Sequence, residues 1–409
     1  MKSGDSMAFS QFEPHAARHP HPRDERGPAA GYLLLLNWPV SATGGVNEVV
    51  LSLAEQLRDQ GDYHPAIAVT TWDYSPQPSP VRGIEIVNLR LRAPFVAGRV
   101  LRSFLSFLST LPSDVKTFAS FLRERRIEVI NAHFPDLNVF MPLLLRAMGL
   151  FRGKLVLSFH GADIVAIGRM RGLPRAVWRH LITRANLTVA CSEAMARSIC
   201  LFAPTARVTF IHNGMSIRLF EGAARNRQRG HRILHVGKFE HKKAQDILLR
   251  AFQILKQSVP DAFLVLVGAP GPELEKVRAQ ISDLALDHSV EVHVGVPHER
   301  MPEIMAGADI FVLPSRAEGF PVVLLEAGAL GLPVVTTPVN GIPEMIEHQK
   351  TGLVVPVEDP VELERAMRLL LTDTATADRL AQAWHERAVT NWSWDRTCRR
   401  YLDAIATAE

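Results

Sequence analysis

Short apolar runs alternate with helix-length amphipathic segments along almost the whole chain, and this alternation leaves few folds open. The runs at 33–36, 66–71, 84–89, 128–133, 155–160, 187–191 and 208–213 form one series. A second series, at 233–237, 263–268, 290–295, 310–314, 333–337 and 352–356, follows a polar, basic stretch of small residues, EGAARNRQRGH, at 221–231. Strands that are apolar along their length, with helices between them, belong in parallel sheets covered on both faces. At 409 residues, and at roughly 150 residues per domain, the chain has room for two or three such units. The expected fold is α/β, with two doubly wound, Rossmann-like domains facing a central cleft. The expected divisions are a polar, Pro-rich tail at 1–30, a first domain at 31–213, a connection at 214–231, a second domain at 232–390, and a last helix at 391–409 that returns to the first domain.

Composition narrows the function class more than the fold. With 47% hydrophobic, 22% charged and 7% aromatic residues the chain is globular, which excludes fibrous and wholly disordered readings. Cys191, Cys200 and Cys398 are too few and too scattered for a disulfide framework or a cysteine zinc site, and fit a reducing compartment. No stretch approaches the roughly 20 apolar residues of a membrane span, and no apolar leader precedes Gly31, so a cytoplasmic protein is expected. The net charge of +4 weakly favours anionic partners, with no nucleic acid expected among them.

The densest chemistry lies in the second series. Gly237, Lys238 and Lys243 follow a strand and precede a helix that should start near Ala244, so two ammonium groups and a helix N-terminus converge where strand ends open to the cleft. Such a place suits a diphosphate, although exposed lysines are commonly just solvated. In PSRAEGFPVVLLE, at 314–326, Glu318 follows a strand end and Glu326 lies eight positions on, inside an apolar helix. Gly319 permits close backbone approach, and the amides of Phe320, Val322 and Val323 are expected as first-turn donors, with Pro321 at the helix start. A carboxylate among Val322, Val323, Leu324, Leu325 and Ala327 needs partners, and ligand hydroxyls are suitable ones.

The segments HVGKFEHKKAQDILLRAF, LVLVGAPGPELE and VEVHVGVPHERMPEIMAGADIFVLPSRAEGFPVVLLEAGALGLPVVTTPVNGIPEM resemble the second half of the retaining glycosyltransferases of family 4, which have the two-domain GT-B fold. The resemblance runs over about 31–405 and is strongest over 232–357. It implies that Glu318 and Glu326 are the two acids of the family's Glu-seven-Glu motif, the first beside the transferred sugar and the second on the ribose hydroxyls. Lys243 matches the lysine on the donor diphosphate. Lys238 stands where the family has arginine, which keeps the charge and loses the bidentate geometry. Gly295 and Val296 match the segment whose backbone holds the base, and Asn340-Gly341 replaces the more usual Gly-Gly.

In the first domain the same resemblance makes Gly44-Gly45 the glycine turn that approaches the donor phosphates, and His160, in SFHGAD, an active-site histidine near the donor sugar. Asp163 is expected to bind an acceptor hydroxyl or to cap the segment after it, and His133, in NAHFPD, to face the cleft as a second candidate for binding the acceptor. The chain contains no Asp-X-Asp, so no metal and no other cofactor is expected; Lys238, Lys243 and helix-end amides would meet the leaving-group charge. The implied reaction is transfer from a UDP- or GDP-linked sugar to a glycan, lipid-linked or small-molecule acceptor with retention of configuration. A nucleotide-sugar 2-epimerase of the same fold is the alternative. A nicotinamide oxidoreductase is disfavoured because 268–271 reads Gly-Ala-Pro-Gly and lacks G-x-G-x-x-G. On the acceptor side, residues 82–126 carry a local excess of six positive charges beside Val96, Val100, Leu101, Phe104, Leu105 and Leu108, a pattern that suits either peripheral contact with an anionic membrane or an ordinary core helix with a basic outer face.

Overall fold

The computed structural model describes residues 29–40, 44–70, 80–94, 100–220 and 230–408. The tail expected at 1–30, apart from its last two residues, and residues 221–229 of the expected connection lie outside these. The first sheet holds β1 (Ala30–Leu36), β2 (Tyr63–Val69), β3 (Glu85–Asn88), β4 (Ile127–His133), β5 (Lys154–Phe159), β6 (Leu187–Ala190) and β7 (Val208–Phe210), in the order β3-β2-β1-β4-β5-β6-β7. The second holds β8 (Arg232–Val236), β9 (Phe263–Gly268), β10 (Val290–Val294), β11 (Ile310–Leu313), β12 (Val334–Thr336) and β13 (Leu353–Val354), in the order β10-β9-β8-β11-β12-β13. Every pairing is parallel. Each apolar run of the sequence has become one strand.

Burial explains why those runs do not alternate with polar residues. Leu33 and Leu35 enter one core, Leu34 and Leu36 the other, and none of the four is more than 1% exposed. In the second sheet Ile233 and Leu234 divide between two cores in the same way. Both sheets reverse their winding beside the first strand, between β1 and β4 and between β8 and β11. Ligands of doubly wound sheets bind at such switch points, beyond the C-terminal strand ends. The segments just after β1, β5, β8 and β11 carry Gly44, His160, Gly237 and Glu318.

The chain crosses between the domains twice, side by side. The Met215 amide donates to the Trp392 carbonyl at 3.1 Å, and Met215 bridges Ser393. A Cβ on Gly214 would come within 2.6 Å of the Trp394 amide, so only glycine fits there. The connection expected at 214–231 thus opens on a paired segment and a short helix, Ile217–Phe220. After the second crossing, helix Trp394–Thr407 lies on the first domain. Its Cys398, Tyr401 and Ile405 pack with Leu34, Leu36 and Leu53, and Lys154 donates to the Ile405 carbonyl at 2.6 Å. No helix among the described residues is long and apolar enough to cross a membrane.

Candidate active site

The second domain aims Lys243 with backbone geometry. Beyond β8 the Gly237 amide donates to the Val267 carbonyl at 2.9 Å, and a Cβ on Gly268 would collide with the Gly237 carbonyl. The chain then makes one tight turn, His241–Lys243, and passes Ala244 in the left-handed region (φ 54°) before helix Gln245–Leu255 begins, one residue later than the sequence pattern indicates. Arg316 fastens this turn. Its amide donates to the Lys242 carbonyl at 2.8 Å, and its guanidinium donates to the His241 carbonyl at 2.6 Å and to both Asp246 oxygens at 2.8 and 2.7 Å. Lys243 Nζ lies 2.6 Å from Glu318 Oε1, an oxygen that also accepts from the Ser315 hydroxyl at 2.6 Å. Lys238 pairs instead with Glu240 at 2.6 Å, and Glu240 also holds Lys242 at 3.1 Å.

Glu318 sits on a turn where the two domains touch. Its amide donates to Asn340 Oδ1 at 3.3 Å, and Asn340 adopts φ 47°, a conformation asparagine enters more easily than most residues. The Gly319 carbonyl accepts from Gly341 at 3.1 Å, and a Cβ on Gly319 would collide with the His160 carbonyl from the first domain. Helix Val322–Ala329 follows with Pro321 as its N-cap. The Val322 and Val323 amides, at its first turn, have no acceptor within the helix and carry its partial positive charge. Phe320 corrects the sequence reading, since it precedes the helix and belongs to the interdomain seam. Its ring stacks on His212 at 4.4 Å, and its carbonyl accepts from Asn213 at 2.9 Å. An apolar ring before proline is better placed in that seam than at a helix mouth.

In the first domain Gly44 precedes helix Gly45–Gln60 with no side-chain cap. Asn47 organises the segment before this helix, accepting from the Trp38 indole at 2.7 Å and donating to the Val40 carbonyl at 2.9 Å. His160 Nε2 and His133 Nδ1 are 3.1 Å apart, with the rings stacked at 5.3 Å. Burial holds His160 at about 4 and His133 well below a free imidazole, and His160 depresses His133 further. Both are therefore neutral near pH 7, with one ring donating to the other. Of the two readings of Asp163 the structure favours the cap: its Oδ2 accepts from the His160 amide and its Oδ1 from the Gly161 and Ile164 amides, each at 2.8 Å, so both oxygens build the turn at Gly161 (φ 130°), and the side chain is only 4% exposed. Burial pushes its carboxyl up to about 6 against the pull of those amides.

Glu326 is buried, 6% exposed, on helix Val322–Ala329. Its Oε1 is 2.7 Å from His298 Nε2. His298 lies in the turn His298–Arg300, reached from β10 through Gly295 (φ 72°) and Val296, with the Gly295 amide on the Gly268 carbonyl at 2.9 Å. Its other nitrogen, Nδ1, faces Glu48 Oε2 across the cleft at 3.2 Å, off the hydrogen-bond line. Arg82 holds the same Glu48 at 3.0 Å and reaches Glu299 at 3.5 Å. Burial opposes charge on His298, but the carboxylates of Glu326 and Glu48 outweigh it and push the imidazole up to about 10. The sequence reading passed over His298 and Glu48. The signal was the one that found His160, a histidine just beyond a strand end.

Thus Gly237, Lys243, Glu318, Gly319 and His160 form one continuous set of contacts across the cleft, with Glu326 tied to Glu48 beside helix residue Gly45, whereas His133, expected to face the cleft, is 1% exposed and lies buried behind His160. Comparison with known proteins bears on this arrangement. Residues 43–219 match the family described as Glycosyltransferase Family 4, and residues 221–387 match Glycosyl transferases group 1. A GDP-mannose-dependent alpha-(1-6)-phosphatidylinositol monomannoside mannosyltransferase of Mycolicibacterium smegmatis is 30% identical over 315 residues, 72% of this chain and 81% of that protein. A putative colanic acid biosynthesis glycosyltransferase of Escherichia coli is 30% identical over 63% of this chain and 64% of its own length. Among solved structures, sucrose-phosphate synthase from Thermosynechococcus elongatus superposes with a TM-score of 0.75 at 20% identity, over 91% of this chain and 98% of that one. The Anabaena HepE protein in complex with UDP-glucose gives 0.72 at 18% identity, over 92% and 99%. These structures share the GT-B fold, and by sequence the chain belongs to the family 4, group 1 glycosyltransferases.

Proposed function

We propose that this enzyme moves a hexosyl group from a UDP- or GDP-linked sugar to a lipid-linked or glycan acceptor in glycolipid or polysaccharide biosynthesis, with retention of configuration and without a metal ion. The observation that carries this reading is the 2.6 Å pairing of Lys243 with Glu318 on a turn in backbone contact with His160. Lys243 and the amides of Val322 and Val323 meet the charge that grows on the departing diphosphate. Glu318 and His160 orient the sugar. With Nε2 engaged by His133, Nδ1 is the nitrogen His160 offers to a sugar hydroxyl. The acceptor proton passes to the leaving phosphate as the new glycosidic bond forms on the face the diphosphate leaves. NMR of the product's linkage is expected to show the donor's anomeric configuration, and transfer is expected to survive prolonged chelation. An inverted anomer, or activity lost to chelator and restored by magnesium or manganese, overturns the reading.

The relative whose name specifies a phosphatidylinositol acceptor supports a lipid-linked acceptor here. Helix Val100–Glu124 supports it from the other side, because Leu101 is 72% and Leu105 58% exposed. Three of the basic residues counted in 82–126 are engaged elsewhere, since Arg82 pairs with Glu48, Arg125 with Glu85, and Arg92 is buried against Ser106. Arg90, Arg102, Lys116, Arg123 and Arg126 remain exposed. Cosedimentation with anionic vesicles and none with neutral ones is expected, and equal recovery from both removes the membrane from the proposal.

A further inference from the structure

His298 stands between two carboxylates that belong to different domains. Glu326 Oε1 approaches Nε2 at 2.7 Å, and Glu48 Oε2 approaches Nδ1 at 3.2 Å. An ionised carboxylate only accepts, so Nε2 carries a proton toward Glu326, and the Glu48 carboxylate beside Nδ1, an ion-pair contact, favours a proton there as well, which makes the ring the imidazolium. Glu48 is fixed in turn by Arg82, which also comes within 3.9 Å of Glu55 and 3.5 Å of Glu299. The Glu48 and Glu55 side chains project from helix Gly45–Gln60, four and eleven residues beyond Gly44. His298 and Glu299 come from the turn after β10, and Glu326 from the helix after β11. The bridge thus joins the elements that follow the first strand of one sheet and two strands of the other.

We propose that His298 is the positioning residue of the donor site, holding the Glu326 carboxylate by one nitrogen while its other nitrogen ties that carboxylate to Glu48 of the first domain, so that capture of the nucleotide ribose and closure of the domains are a single event. This rests on the reading of Glu326 as the carboxylate that takes the ribose hydroxyls. With Oε1 engaged, the Glu326 side chain is fixed in rotation and kept in its ionised, acceptor form, and a ribose diol meets it preorganised. Opening the cleft removes Glu48 from Nδ1 and frees the imidazole to turn. A ligand that needs Glu326 oriented therefore binds the closed arrangement better, and its differential affinity draws the domains together.

The test is titration of the full-length chain with UDP and with GDP, alongside donor KM and kcat. Glu326→Ala is expected to abolish nucleotide binding. His298→Ala is expected to raise the nucleotide Kd and the donor KM by about tenfold or more, the scale of a charge-assisted hydrogen bond, with a smaller change in kcat. Glu48→Gln, a conservative change, is expected to raise both in the same direction, and the double variant to be no worse than His298→Ala alone, because the two residues act through one bridge. With UDP or GDP bound, the His298 ring resonances are expected to titrate well above a free histidine and to move down in Glu48→Gln. If Glu326→Ala abolishes binding while His298→Ala and Glu48→Gln leave Kd within about twofold, the proposal falls and the ribose reading stands. An additive double variant, or a His298 titration unmoved by Glu48→Gln, removes the link between domains. If Glu326→Ala leaves nucleotide binding unchanged, the ribose reading falls and takes the proposal with it.

Discussion

On the proposed reading Lys243 acts by charge held in place, since the turn His241–Lys243 and the clamp of Arg316 fix its ammonium against Glu318. Removing it in Lys243→Ala is expected to lower kcat by about 100- to 1000-fold, the scale of deleting one transition-state charge donor. A loss of tenfold or less at saturating donor assigns the leaving-group charge to other groups. His160 differs because burial holds it at about 4, below the ordinary imidazole. Its stability contribution is full above the unfolded value of about 6.5 and is lost as pH falls through about 4. From about pH 5 upward the ring is neutral, so kcat/KM is expected to show no limb from His160 in a pH profile; a limb near 6.5 that His160→Asn removes contradicts this. At this scale the sequence was informative about Glu318, Glu326 and Lys243 because their spacing from strand ends is local. It was silent on what each side chain meets. The bridge from Glu326 through His298 to Glu48 joins residues with no local spacing to read, and it exists only once the two sheets face each other.

Among the elements, the strands were the most legible, because the side chains of each doubly covered strand must be apolar on both faces. Leu33, Leu34, Leu35 and Leu36 show the pattern in four letters. Helix Val322–Ala329 was legible too, but its boundary was not. Phe320 reads equally well as a first-turn residue or as a packing ring, and His212, Asn213 and Trp392, all distant in sequence, decide between them. Fit between elements is likewise set from outside. A Cβ on Gly328 would lie 2.6 Å from Ala388 Cβ and 2.8 Å from Trp384 Nε1, so this glycine lets the helix rest on the buried Trp384, whose indole donates to the Leu324 carbonyl at 3.2 Å. Helix Trp394–Thr407 covers the first sheet with Tyr401 and Ile405. Ile405→Ala leaves a cavity under that helix and is expected to cost about 2–5 kcal/mol in urea unfolding. A cost below about 0.5 kcal/mol, the range of a surface change, means that the helix is not part of the first domain's core.

Across the whole molecule the two domains meet at two seams. In the seam where the Phe320 ring stacks on His212, Glu344, from the second domain, accepts from the Glu193 and Ala194 amides at 3.0 and 3.1 Å and from His212 at 2.7 Å. Burial raises its carboxyl, and those donors outweigh it, leaving it below the ordinary range. The ionic seam is centred on His298, which meets Glu326 of its own domain and Glu48 of the first, while Arg82 of the first domain reaches Glu48, Glu55 and Glu299 around it. Its folded value of about 10 lies above the unfolded value of about 6.5, so its contribution is complete below about 6.5 and is lost as pH rises through about 10. The stability difference between the unmodified chain and His298→Ala, read from urea midpoints, is expected to shrink over that window; a difference that grows with pH reverses the sign and refutes the assignment. The adjacent crossings at Met215 and Ser393 have a consequence of another kind. The chain leaves the first domain and re-enters it at one spot, so the second domain is inserted into the first like a cassette whose two ends meet. Second domains are therefore expected to be exchangeable between relatives by splicing at that single seam, with the C-terminal helix staying behind as part of the first domain.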